Sequence, residues 1–336
     1  MRDQSTSAGV PSRRWAEFFV LPLARFLAAS SLRAVLLLLV ISLIVFGLNR
    51  LIPGDPALDL AGENATPEVI DAIRRELGLD RPWTLQYGTW LGDILTGDLG
   101  QSIMYNVPVV DLIIQRLPPT ASLALVAILL AVTFGLIGGV AAAHWRGQWP
   151  DRVITAISTV GIATPHFWVG LILILTFSIH FNLFPASGYK PLSDGIGPWL
   201  RSLLLPGIAL SFALGAELQR QTRSSIADVL TQDYIRTARA QGLSRAHVLW
   251  VRALRNGSGP VLTVIGFQIG ILIGGSIVME KVFGIPGLGT LTIEAVFAKD
   301  LPVIQGVVLV NAAFVVVINM LTDLSYRLLN PKVRLQ

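Results

Sequence analysis

Cysteine is absent from the 336 residues. No disulfide can form, no thiol can act as a nucleophile, and no metal can be held by thiolates. Charge is scarce too. Asp, Glu, Lys and Arg make up 14% of the chain, where a soluble domain carries roughly 25%. No Lys follows a suitable glycine loop, so the chain has no Walker-type phosphate cradle. Energy for any uphill movement would have to come from a partner.

What fills the space is apolar. Hydrophobic residues make up 53% of the chain and mean hydropathy is +0.64. They gather in long runs, and a run of roughly 18 or more is long enough to cross a bilayer as a helix. The expected fold is therefore all-α and membrane-embedded, with six spans at 34–48 (starting a turn or two earlier), 120–143, 153–179, 203–216 (short but extendable), 260–279 and 303–322. None of these cores contains Asp, Glu, Lys or Arg. Intramembrane ionisable groups mark ion paths and proton relays, so a proton-coupled transporter and a membrane enzyme with a catalytic acid are both disfavoured. The first run lacks a small-residue cleavage site after it and reads as a span, not a cleaved signal.

The few charges divide unevenly. The N-terminus, the loop at 144–152, segment 217–259 and the C-terminal tail hold 17 Lys and Arg against 7 acids. The loops at 49–119, 180–202 and 280–302 hold 9 against 14. Basic loops stay in the cytoplasm, which places both termini and segment 217–259 inside and the long 49–119 loop outside. Residues 1–33 then form a cytoplasmic N-terminal segment and 34–336 the transmembrane domain.

Several polar and small residues stand out. His166 is the only histidine deep in an apolar run, and it has no partner at metal-ligand spacing. It is expected to be hydrogen-bonded beside a kink at Pro165. Gly266, Gly270 and Gly274, four apart, fit close helix packing. Gln268, Asn311 and Asn319 fit either a polar solute pathway or interhelical hydrogen bonds.

The outward loop reads as folded. Thr66 is placed to cap a helix starting at Pro67 and closing at Gly78, and Asp80 to cap a second helix near Pro82. Trp83, Tyr87, Trp90, Leu91 and Ile94 form an apolar stripe on that second helix. The stripe is expected to serve as a docking surface.

The basic stretch TARAQGLSRAHVLWVRALRN, 237–256, contains no acid. Asp233 is a candidate cap for a short helix, Gly242 fits the left-handed position after it, and Ser244 caps the next helix. Val248, Val251 and Leu254 are expected to face inward. The helix-turn-helix shape is shared with DNA readers. Spans close on both sides leave it no reach into a groove, so nucleic acid is excluded as a partner. Simple contact with anionic lipid would not need a capped turn. Docking to a cytoplasmic protein suits the shape better.

The segment resembles the cytoplasmic loop of ABC importer permeases. Ala238, Gly242 and Leu254 match that family's general pattern, while the positions of its Glu and Pro are occupied by Arg236 and Arg255. The variant RTARAQG with ALRN is similar to the dipeptide/oligopeptide branch. So are LIPGDPA at 51–57, GDLGQSI at 97–103, RLPPTASLAL at 116–125, FGIPGLGTL at 283–291, DLPVIQG at 300–306 and LLNPKVR at 328–334. The resemblance implies the B-type membrane subunit of a bacterial inner-membrane importer with type I architecture. Implied partners are a sister permease, two cytoplasmic ATPase subunits that bind ATP and Mg, an external solute-binding protein and membrane lipid. No cofactor is implied in this chain, and no enzymatic activity. Coupling to the ATPase falls on Arg236, Thr237, Ala238, Arg239, Gly242, Leu243 and Ser244. Relatives carry dipeptides, longer peptides, glutathione or nickel.

Overall fold

A computed structural model of the chain describes residues 12–48, 56–61, 65–76 and 78–329. Most of LIPGDPA and of LLNPKVR, and residues 1–11, lie outside the described residues. Among the described residues the chain is helical, and its one β pairing is an isolated bridge between Gln101 and Pro108. Four helices are long and apolar enough to cross a membrane, and six spans result when each of two bent pairs counts as one.

The first span lies within α1 (Ser12–Leu48), its apolar part covering Ala28–Gly47. Its start, six residues before Ala34, is within the turn or two of earlier start expected from the sequence. Three short helices follow: α2 (Pro56–Ala61), α3 (Pro67–Glu76) and α4 (Trp83–Leu95). Gly78 closes α3 at φ +64°, and the Leu79 amide donates to the Arg74 carbonyl, 2.9 Å. Asp80 does not cap α4. Its cap position is Pro82, without a side-chain hydrogen bond, because the ring already sets a helix-compatible φ.

The second span starts eleven residues earlier than expected, in α5 (Val109–His144). The third is broken: α6 (Trp149–Ala163) and α7 (His166–Leu173) with its continuation to His180 meet at 104°. Thr164 is extended (ψ 126°) because Pro165 bars it from helical geometry. The fourth span is much longer than 203–216, running as α8 (Ile196–Leu230) well into the expected cytoplasmic segment. Then come α9 (Asp233–Ala240), α10 (Arg245–His247) and, through a π-helical stretch at Val248–Ala253, α11 (Leu254–Val282). The second helix of the basic unit and the fifth span are thus continuous, with a 52° bend near Leu272. An apolar helix α12 (Leu288–Phe297), not foreseen in the sequence, precedes the last span, α13 (Leu301–Leu329).

The most extensive contact is between α5 and α8. It is close because side chains are missing. A Cβ on Gly135 would lie 2.5 Å from that of Leu218, a Cβ on Gly139 would overlap Thr222, and a Cβ on Gly207 would lie 2.7 Å from Val126. In lipid, helices associate through such van der Waals contact, since burial of apolar surface gives no advantage there. Leu123, Val126, Leu203 and Leu210 fill the seam, and Leu272 and Met279 of α11, with Phe283 just after it, pack on it. The glycines of the fifth span behave unequally. A Cβ on Gly266 would overlap Thr322 of α13, one on Gly270 would make ordinary contact with Val315, and Gly274 has nothing within 4 Å.

Gly135→Val is expected to cost about 1–3 kcal/mol through overpacking. Gly47→Val, at a helical position with nothing within 4 Å, should cost clearly less. Thermal unfolding of the purified permease in detergent measures both, and equal midpoints would contradict the packing described.

Candidate functional site

The basic stretch folds as an elbow between α8 and α11. Gln232 takes the cap position of α9 and Asp233 is its first helical residue, where the acid still faces the positive end of the helix. Gly242 stands at φ +84°. Its amide donates to the Arg239 carbonyl (3.0 Å) and the Leu243 amide to the Ala238 carbonyl (3.3 Å). Those two bonds make a Schellman stop, which needs a left-handed residue. Ser244 Oγ accepts from the His247 amide, 3.2 Å, and starts the next helix.

The inward face keeps two of the expected residues, Val248 buried and Leu254 half-buried, and departs from expectation at Val251. Val248, Leu249 and Ala253 are buried, whereas Val251 is exposed. The cause is the π-helical stretch, whose wider turn shifts the phase of the apolar face. Leu249 and Ala253 pack with Val140 and Ala143 of α5 and Ile226 of α8. Two cross-braces tie the elbow at its root. Ser225 Oγ donates to the Gly257 carbonyl (2.7 Å), and the Asn256 amide donates to Tyr234 Oη (3.0 Å). Of the expected coupling residues, Ala238 is buried and Leu243 half-buried, while Arg236, Thr237, Arg239, Gly242 and Ser244 are exposed together on the elbow. Beside it, Arg223 of α8 grips the buried Asp151 of α6 with two hydrogen bonds, one of 2.7 Å.

The break between α6 and α7 borders a cavity of about 520 Å³. Its wall includes Ile162, His166, Leu214, Glu217, Gln268 and Leu272. His166 is not hydrogen-bonded as expected: its Nε2 is buried without a partner among the described residues. The ring lies beside Gly275 of α11, where even an added Cβ would make only ordinary contact with it. Glu217 is paired with Arg220, 2.7 Å. Of the three polar span residues singled out in the sequence, only Gln268 lines this cavity. Asn311 is half-buried and Asn319 exposed, both on α13.

A polar network holds the opposite end of the molecule, and sequence reasoning missed its centre. Glu280 is fully buried in the last turn of α11, where the sequence reads as a loop. Its carboxyl oxygens accept from Thr120 Oγ1 (2.7 Å), the Thr290 amide (2.9 Å) and the Gly289 amide. Thr120 Oγ1 in turn accepts from the Leu288 amide, 2.8 Å. Glu280 and Thr120 thereby satisfy the free amides that open α12. A Cβ on Gly287 would overlap both, which explains the glycine in FGIPGLGTL. Asp300 does the same for α13. It is buried, accepts from Ser102 Oγ and the Met104 amide (3.0 Å), and thereby ties GDLGQSI to DLPVIQG. Tyr105 donates to Glu294, 3.2 Å. Burial, with that carboxylate, raises the Tyr105 phenol above its ordinary pKa.

Part of the aromatic stripe of α4 packs on the first span, with Tyr87 and Trp90 half-buried and Trp83 exposed. Trp83, Tyr87 and Trp90 surround Phe46 of α1 at ring separations of 5.2–6.1 Å, and Tyr87 Oη lies 2.8 Å from Ser42 Oγ. These contacts fix α4 to the first span.

Glu280→Gln keeps the shape but turns an NH2 group toward amide donors. A buried donor left unpaired costs about 1–3 kcal/mol. The variant is expected to unfold at a lower temperature than wild type in detergent; an unchanged midpoint would contradict the role given to Glu280.

Comparison with known proteins agrees with this architecture. Residues 131–335 match the family described as the inner membrane component of binding-protein-dependent transport systems, and residues 23–124 match the N-terminal component of the same systems. A protein of Brucella abortus (strain 2308) named as a peptide transport system permease is 43% identical over 302 residues, covering 90% of this chain and 96% of that one. The glutathione transport system permease of Escherichia coli (strain K12) is 40% identical over 297 residues, covering 88% and 94%. The inward-facing MetNI methionine ABC transporter shares the fold, with a TM-score of 0.54 at 17% identity over 65% of this chain and 96% of that chain. A multi-pass helical chain with this elbow, matched by family and relatives over nearly its whole length, belongs to the inner-membrane permease components of binding-protein-dependent transport systems.

Proposed function

We propose that this chain is one of two permease subunits of an ATP-driven peptide importer. A sister permease completes the pathway, an external binding protein delivers the solute, and two ATPase subunits bind ATP and Mg in the cytoplasm. Both termini and the elbow face the cytoplasm, in keeping with the excess of Lys and Arg on that side. The peptide assignment rests on relatives about 40% identical that are named for peptide or glutathione transport. Glutathione, itself a modified tripeptide, falls in the same class.

One observation carries the mechanical part. The elbow exposes Arg236, Thr237, Arg239 and Ser244 around a left-handed Gly242, while its other face is braced to α5, α8 and α11. A braced protrusion passes displacement on to the spans. Exposed arginines give an acidic partner surface something to pair with. Ala238 and Leu243 set the shape of the turn from beneath.

Gly242 has open space around it, so a substitution there acts through backbone strain alone. Gly242→Val is strained by roughly 1–2 kcal/mol, too little to unfold a six-span protein but enough to re-aim the elbow. It is expected to lower ATP-driven uptake by the reconstituted complex several-fold. Gly147→Val supplies the comparison. Gly147 is at φ +80°, also with nothing within 4 Å, but lies outside the elbow. That variant should retain most of the uptake. Equal losses, or none with Gly242→Val, would contradict the coupling role.

A further inference from the structure

The third span is held to its neighbours unevenly. Among the described residues, every hydrogen bond made by 149–180, apart from those of Asp151, stays within the span and its own flanking turns. Elsewhere the span meets other helices through packing, as at Gly161 beside Ala216 of α8 and Gly170 beside Met279 of α11. Asp151 is different. Its side chain is 4% exposed. It accepts from Nε and Nη2 of Arg223 on α8, from the Gly147 amide (2.8 Å) and from Thr155 Oγ1 (3.3 Å). Packing alone does not call for such a group, because a buried ion pair exchanged for apolar residues of like volume often leaves stability unchanged or higher. What the pair adds is direction. A guanidinium fork on a carboxylate fixes angle as well as distance.

The position of the pair on α8 gives that direction a use. Thr222 touches α5 at Gly139, Arg223 holds α6, and Ser225 holds Gly257 of α11. These contacts fall within about one helical turn. The elbow begins just beyond, with α8 ending at Leu230 and α9 starting at Asp233. On the other side, α6 runs unbroken from Asp151 to Ala163, where the break at Thr164 and Pro165 begins. We propose that Asp151 and Arg223 are positioning residues of the transport step: they carry displacement of the elbow into α6 and so set the angle of the broken third span. They do this without touching solute or nucleotide. The proposal rests on the coupling role given to the elbow above. Slack at this clamp leaves the ATPase subunits working while the third span lags, so hydrolysis continues and transport per cycle falls.

The test uses the full transporter and its binding protein in proteoliposomes and reads peptide taken up per ATP hydrolysed. Asp151→Asn keeps an acceptor for the Gly147 amide but turns an NH2 group toward the guanidinium. Stimulated hydrolysis is expected to be largely kept and uptake per ATP to fall several-fold. A purely structural role would act otherwise: poor folding or assembly lowers uptake and hydrolysis together and leaves their ratio alone. Breaking one side of a buried pair destabilises strongly, so the paired exchange Asp151→Leu with Arg223→Met is measured as well. It leaves neither charge unpaired, so the complex should assemble, and its ratio is expected to fall too. Gly242→Val in the same assay separates this proposal from the reading beneath it. A wild-type ratio in the paired variant, with uptake lowered by Gly242→Val, would overturn the clamp and leave the coupling elbow standing. No loss of uptake with Gly242→Val would overturn the elbow, and the clamp with it.

Discussion

The backbone-to-backbone approach of α5 and α8 is the constraint on which the rest depends. It exists because Gly135, Gly139 and Gly207 present no Cβ where Leu218, Thr222 and Val126 press in. With that seam set, α11 has one surface to pack on, and α13 follows through the contact of Gly266 with Thr322. Polar anchors then fix the ends. Asp151 and Arg223 join α6 to α8 near the elbow, and Glu280 and Asp300 seat α12 and α13 at the far end. Glu280 and Asp300 also answer a second need, because they accept from amides that open α12 and α13.

Elbow and cavity are built on the same two helices. On α8, Glu217 of the cavity wall and Ser225 of the brace are eight residues apart, about 12 Å along a helix. On α11, Gly257 of the brace and Gln268 of the wall are eleven apart, about 16 Å. A displacement at the elbow therefore reaches the cavity along two packed rods without crossing a flexible segment.

Much of this is legible in the sequence, and the failures have definite causes. Apolar runs locate every span, because bilayer thickness and composition alone decide them. The turn at Gly242 and the cap at Ser244 are legible because a short local rule governs each. Bend and phase are not. Pro165 announces a kink, but only packing sets it at 104°. The π-helical stretch at Val248–Ala253 has no residue signature, so regular spacing from Val248 points Val251 inward, whereas Leu249 and Ala253 are buried beside Val248. Glu280 was hidden by arithmetic: one residue past the apolar run, it counted as a loop acid. The stripe on α4 was read correctly as apolar, but its partner Phe46 lies in a different helix. Likewise His166 stood out at once, whereas its missing hydrogen bond shows only in three dimensions.

The central claim is that the elbow is where this subunit meets the ATPase. A photo-crosslinking amino acid in place of Arg239, on the exposed face of the elbow, measures it directly in cells expressing the whole transporter. Irradiation followed by mass spectrometry of the permease adducts should return peptides of the ATP-binding subunit. Adducts with lipid or nucleic acid alone, and none with that subunit, would contradict the account.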